Sequence, residues 1–307
     1  MFLIITNQIL KMFLILIVGY ICYHTKLVDH HGNKVLSNLL LLVVNPILIV
    51  NALQMDYSAS RMKGFLLAAL LAALTHVVGI LLSRVLFPEK RSRDYNIEQF
   101  SSIYSNCGFM GIPLANSILG SEGILFITSY MIVFNLFCWT HGLMLMTGNA
   151  SRKQIKKGLT SPVMIASVIG LFLFVSQIRL PSVVNETIGY ISNMNTPMAM
   201  LIAGVALAET NLFGALKNRR LYLVTAVKLL ILPLVMLVCL SFLPFDHKVL
   251  CAVLLAAACP CATTGTMFAL RYDGNYKYAS ELFAFTTVVS MSTIPVIIYL
   301  AERVLPI

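Results

Sequence analysis

Apolar runs of about twenty residues recur along the chain, separated by short clusters of charge, proline and glycine, which is the spacing a bilayer-crossing helix requires. Ten such runs are predicted: residues 6–23, 35–53, 65–87, 99–118, 123–146, 162–178, 188–208, 222–243, 249–270 and 280–301. The first run lacks a basic start and a small-residue cleavage site, so it reads as a retained span rather than a leader. An all-α integral membrane protein is expected.

Composition sharpens that picture. Hydrophobic residues make up 59% of the 307 positions and charged residues 11%, and no hydrophilic stretch is long enough to fold as an aqueous domain. Catalysis in a soluble head is excluded, and no deep catalytic set such as paired aspartates or His-Glu-x-x-His marks an intramembrane enzyme. The formal charge of +10 is scattered among loops instead of forming a patch, so nucleic acid is not a partner. Seven cysteines lie within or beside apolar runs and imply no disulfide framework, and no cofactor is called for. With ten spans, six lysines and arginines fall on or near one side and fifteen on or near the other, Lys228 alone being deep enough in a span to count for neither. The richer side is the cytoplasmic one. Both termini are then extracytoplasmic, and the basic cluster Ser151 to Lys157 is a cytoplasmic loop.

That cluster divides the chain into halves of five spans, residues 1–150 and 151–307, and an odd number inverts the second half relative to the first. The breaks align. Asn45-Pro46 in the second span matches Thr196-Pro197 in the seventh; Gly108, Gly111 and Pro113 in the fourth match Pro260 and Gly265 in the ninth. Opened backbone inside a membrane must face protein, water or substrate. The glycines are expected to end one half-helix in a left-handed turn, with Pro113 starting the next. At about 1.5 Å per residue, Asn106 lies roughly 10 Å inside its span. Two half-helix starts would meet near the midplane, where free N–H groups favour an anion.

The run Asn106-Cys107-Gly108-Phe109-Met110-Gly111-Ile112-Pro113-Leu114 closely resembles the broken fourth helix of the auxin efflux carrier family. Asn45-Pro46, Pro197 followed by Ile202-Ala203-Gly204-Val205-Ala206-Leu207, Lys228 ahead of Pro233, and Ala258-Cys259-Pro260 extend the likeness over essentially the whole chain. The resemblance implies ten helices in two inverted repeats, crossing broken fourth and ninth helices, and elevator-like transport of small organic anions. The halves are joined by only about a dozen loop residues, where many plant carriers have a long hydrophilic loop, so the chain looks more like the bacterial branch linked to malate and malonate. Auxin is not carried over.

Candidate substrate-binding residues are Asn106, Cys107, Gly108, Gly111, Pro113, Pro260, Cys261, Thr263, Thr264 and Lys228. Asn106 offers an amide donor to a carboxylate or a cap to its half-helix. Thr263 and Thr264 offer hydroxyls, or bond back to the preceding turn. Lys228 either snorkels to the surface or faces the bundle and attracts a carboxylate. Asn45 is expected to fill the hydrogen bond that Pro46 removes, and Glu209 and Glu281 to reach water at span ends. His76, close to the middle of the third span, is a candidate proton carrier. Cys259-Pro260-Cys261 also fits a soft metal, although small cysteines equally suit close helix packing. Alternatives are a sodium-coupled bile-acid-type symporter and a membrane receptor that binds without transporting. A cation/proton antiporter would need a mid-membrane carboxylate, which the sequence does not show. H+ or Na+ coupling and a homodimer are both compatible with this plan.

Overall fold

The computed structural model describes residues 2–148, 152–210 and 212–305. Among the described residues the chain is all-helical, with a single isolated antiparallel bridge, Ser105 to Cys261, and no strand. Its principal helices are α1 (Phe2–His24), α2 (His30–Ala52), α3 (Ala59–Leu86), α4 (Tyr95–Ile103), α5 (Cys107–Thr147), α6 (Arg152–Leu159), α7 (Pro162–Ser176), α8 (Ser182–Glu209), α9 (Arg219–Ser241), α10 (His247–Ala258), α11 (Thr263–Arg271) and α12 (Tyr276–Val304). Seven of these (α1, α2, α3, α5, α8, α9 and α12) are long and apolar enough to cross a membrane; α7 and α10 are shorter apolar helices.

Several sequence expectations are redrawn at the helix ends. The basic cluster expected as a loop folds as α6, with Ser151 outside the described residues. The expected fourth and fifth spans share α5, which bends where Gly120 takes φ +63° and ψ −149°. Among the described glycines only this one and Gly148 have positive φ, so Gly108 and Gly111 do not terminate a helix in the left-handed region. They lie instead in the widened π-type first turn of α5, Cys107–Gly111. Pro113 follows within that continuous helix, where the wider turn relieves the clash its ring would make with a regular preceding turn.

The helices pack in two groups. In one, α1 lies along the second part of α8, and the second part of α2 packs on α7 and α8. The α1 and α8 backbones touch because Gly19 faces Leu201 and Gly204 faces Leu16: a Cβ on Gly204 would sit 2.0 Å from the Leu16 carbonyl oxygen. In the other group, α3 and α10 pack on α5, and α12 packs on α9, α10 and α11. Lipid-facing side chains such as Leu66, Leu70 and Leu81 on α3 are exposed, while Ala68, Leu71 and Ala72 on its other face are buried.

The second proline break is bridged between the two halves. Asn45 is buried, and its amide oxygen accepts from the Asn195 Nδ2 at 2.5 Å. It therefore links α2 to α8, which replaces the local role expected beside Pro46.

Candidate functional site at the crossing of two broken helices

α4 ends at Ile103 because Tyr104 turns into extended backbone, and α10 ends at Ala258 because Cys259 does the same ahead of Pro260. The two interruptions pair with each other. The Asn106 N–H donates to the Pro260 carbonyl at 2.8 Å, and the Ala262 N–H donates to the Tyr104 carbonyl at 2.9 Å. Around the Ser105–Cys261 bridge, the Cys261 N–H donates to Thr286 Oγ1 at 3.2 Å and its thiol to the Ser101 carbonyl at 3.2 Å. Peptide groups that lipid could not satisfy are thus satisfied by the partner break and by α12.

Beyond the pairing, α5 and α11 begin. Neither start has a side-chain cap: Asn106 precedes α5 and Ala262 precedes α11 without a capping hydrogen bond. Asn106 is buried, and among the described residues its amide is not committed to the cap that the sequence allowed. The first-turn N–H groups of both helices therefore carry their partial positive charge into the same region.

The opposite, C-terminal ends of the breaks are compensated by Lys228. It is fully buried in a π-type turn of α9 (Val227–Ile231), ahead of Pro233, so it faces the bundle and does not snorkel. Its ammonium donates to Ser105 Oγ, to the Ile103 carbonyl at 3.4 Å and to the Ala257 carbonyl at 3.3 Å. Those carbonyls belong to the last turns of α4 and α10. One cation thus sits on the negative ends of two helices while their continuations present positive ends on the other side.

A cavity of about 820 Å³ runs from the crossing toward one end of the molecule. Its walls include Phe109 in the first turn of α5 and Thr263, Thr266, Met267, Leu270 and Arg271 along α11. The nine residues of α11 place Arg271 about 12 Å from Thr263 at roughly 1.5 Å rise per residue. Across from them stand α2 with Leu41 and Lys34, and α8 with Ile202 and Glu209, so the cavity separates the two helix groups. Lys34, Arg271 and Lys277 line the cavity beside Glu209, whose carboxylate pairs with His30 at 3.2 Å.

The remaining candidates are placed as follows. Thr263 reaches the cavity wall. Thr264 instead receives the Cys138 thiol at 3.7 Å, bonding to α5 and not back to its preceding turn. Cys107 and Cys261 are buried at the break, and Gly111 packs near Cys259: a Cβ there would meet its sulfur at 3.5 Å. His76 lies in the aromatic interior between α3 and α5, away from the cavity lining. Among the described residues no group of three His, Cys, Asp or Glu side chains could hold a metal ion.

Two acids depart from the sequence reading. Glu281 is buried, because the start of α12 is covered by neighbouring helices instead of facing water. Glu98, which sequence reasoning passed over as a span-end residue, is fully buried and accepts from Arg220 at 2.7 Å, Ser92 Oγ at 3.2 Å and the Tyr278 hydroxyl at 3.4 Å. Its place at the edge of an apolar run gave no sign of burial, and its partner Arg220 is too distant in sequence to be found by pattern.

Comparison with known proteins identifies a family for the chain. A family described as membrane transport protein matches residues 4–157 and 146–298. The chain is similar to an uncharacterized transporter of Methanothermobacter thermautotrophicus, 24% identical over 298 residues that cover 94% of this chain and 96% of the relative. It is also similar to an uncharacterized transporter of Methanocaldococcus jannaschii, 22% identical over 220 residues, 68% of this chain and 71% of that one. The chain belongs to this membrane transport protein family, that of the auxin efflux carriers, and is a transporter and not an enzyme.

Proposed function

We propose that this transporter carries a small organic anion, a mono- or dicarboxylate, held where α5 and α11 begin and moved by alternating access. The observation that carries this reading is the pair of uncapped helix starts at the end of a cavity whose walls include Lys34, Arg271 and Lys277. Aligned N–H donors favour an anion, and a cation would meet them with no acid in the first turn of either helix, the cavity's Glu209 being paired with His30. Asn106, Cys107, Gly108 and Thr263 are the proposed contacts, with Gly111, Pro113, Pro260 and Cys261 shaping the backbone and Lys228 and Thr264 holding it.

The paired breaks and the Asn45–Asn195 hydrogen bond support ten passes in two inverted halves, residues 1–150 and 151–307. The fourth pass then joins α4 to α5 as far as Gly120, the fifth is the rest of α5, and the ninth joins α10 to α11. Lys34, Arg271 and Lys277 fall on the arginine- and lysine-rich side, so the cavity faces the cytoplasm of a cell membrane with both termini outside. The group containing α1, α2, α7 and α8 is the fixed frame, and the group carrying the crossing slides along it.

Calorimetry of a small carboxylate panel against the corresponding methyl esters tests the charge assignment. The ionised acid is expected to bind and the ester to lose most of the affinity; equal affinities, or preference for an organic cation, would overturn it. Counterflow of labelled acid in proteoliposomes is expected, and binding without counterflow would make the protein a receptor.

A further inference from the structure

The wall that α11 gives to the cavity is a single stripe of one helix. Thr263, Thr266, Met267, Leu270 and Arg271 line it, and their spacing of three, four, seven and eight positions from Thr263 puts them on one helical face. The chemistry changes in order along that stripe: threonines beside the uncapped helix start, apolar side chains in the middle, a guanidinium in the last turn. Lys277, in the first turn of α12, and Lys34, across the cavity on α2, line it as well. Among the described residues none of these three cations forms an ion pair, and the Arg271 guanidinium stands 5.9 Å from the Tyr272 ring. The acid in the lining, Glu209, is held by His30.

A carboxylate at the start of α11 thus has a second cationic point on the same helix. Arg271 lies about 12 Å along the axis from Thr263 at roughly 1.5 Å per residue, and a helical side chain leans toward its helix N-terminus. Two carboxylates held at these points are therefore about 8 to 12 Å apart. An extended carbon chain, with bonds of about 1.5 Å, advances about 1.25 Å per bond. Malonate and succinate, at about 2.5 and 4 Å between their carboxylates, fall short of the gap, while suberate, azelate and sebacate fill it. The volume of about 820 Å³ suits ligands of that size, since sites that enclose them run from about 300 to 1,000 Å³.

Resting on the anion-carrier reading, we propose that the carried anion is an α,ω-dicarboxylate of about eight to ten carbons laid along α11. One carboxylate sits on the N–H groups where α5 and α11 begin, the methylenes lie on Met267 and Leu270, and the second carboxylate is held by Arg271 with Lys277. Arg271 is then the specificity residue: it measures chain length and demands a second charge. In the last turn it also offsets the negative end of α11, so the far carboxylate meets a cation and not bare carbonyls. Both carboxylates are held by the helix group that carries the crossing, so the ligand travels with that group without releasing either end.

The test compares malonate, succinate, suberate and monomethyl suberate by calorimetry. Wild-type protein is expected to bind suberate at least tenfold more tightly than succinate. Monomethyl suberate, of nearly the same length with one charge removed, is expected to bind about tenfold to hundredfold more weakly than suberate, the loss that one hydrogen bond to an ionised group implies. Arg271→Gln is expected to remove that difference between diacid and monoester, and labelled suberate is expected to show counterflow in wild-type proteoliposomes. Malonate or succinate binding as tightly as suberate would overturn the two-ended hold while leaving the anion reading intact. A monoester that matches the diacid in the wild type would do the same, as would suberate that blocks malonate counterflow without itself being carried. These wild-type comparisons decide the matter even where the variant fails to fold; a folded Arg271→Gln protein that keeps the full difference would overturn the role of Arg271. Absence of binding and counterflow for every acid in the panel would overturn the anion reading and the two-ended hold together.

Discussion

Lys228→Met separates a framework cation from a substrate ligand. Methionine has nearly the length of lysine and no donor, so the change removes the contact with Ser105 and the two longer contacts, 3.4 Å to the Ile103 carbonyl and 3.3 Å to the Ala257 carbonyl. A hydrogen bond from a charged donor is worth about 1.5 to 3 kcal/mol, and the two long ones add less. Relief of ammonium desolvation offsets part of this, because the partners left behind are dipoles and not a buried opposite charge. The net loss is about 2 to 4 kcal/mol, which corresponds to roughly 4 to 12 °C in midpoint at about 2 to 3 °C per kcal/mol for a chain of this size. Thermal unfolding of the unliganded protein in detergent is the assay, with Lys248→Met as the control. Lys248 is 54% exposed and pairs with Glu122 at the surface, so its loss is expected to cost at most about 1 kcal/mol. An unchanged midpoint for unliganded Lys228→Met, with only substrate affinity lost, would refute the framework role and return Lys228 to the binding site as a direct ligand.

Three further outcomes follow from the same geometry. Asn106→Ala is expected to lose about tenfold to hundredfold in affinity for the carried acid at normal expression, as removal of one hydrogen bond to an ionised ligand implies; wild-type affinity by calorimetry would take Asn106 out of the site. Gly204→Val is expected to lower the unfolding midpoint sharply, since backbone and not a movable side chain lies 2.0 Å from the added Cβ, and overpacking costs about 1 to 3 kcal/mol or more; an unchanged midpoint would show that α1 and α8 can separate freely. Glu98→Gln is expected to cost about 1 to 3 kcal/mol through its weakened bond to Arg220, while the exposed Glu186→Gln stays within about 0.5 kcal/mol; equal midpoints for the two variants would contradict the buried pairing.

The helical class and the positions of the interruptions were legible because both are local. A run of about twenty apolar residues and a Pro260 within it need no knowledge of the rest of the chain. What happens at an interruption is not local. Gly108 and Gly111 suggested a left-handed stop, yet the stop is at Tyr104, where backbone pairing with residues 260–262 supplies the hydrogen bonds that a glycine turn would otherwise have arranged. Lys228 posed the same difficulty: its distance from the span end fitted snorkelling, and only the meeting of α4, α9 and α10 supplies three acceptors for it inside. Asn45 was read against its neighbour Pro46, while its partner lies 150 positions away in Asn195. Glu98 carried no sign of Arg220 for the same reason.

The pairing of the two breaks has a mechanical meaning. Tyr104 to Asn106 and Pro260 to Ala262 are joined like two straps under one rivet, so neither strand can be pulled out of line without tearing the other's hydrogen bonds. The place where both helices are unwound is therefore tied down by hydrogen bonds between them. In the proposed alternating-access cycle, displacement is then borne by side chains sliding across the cavity faces of α2 and α8, and a graft exchanging only one of the straps with a distant relative would leave a rivet with one hole.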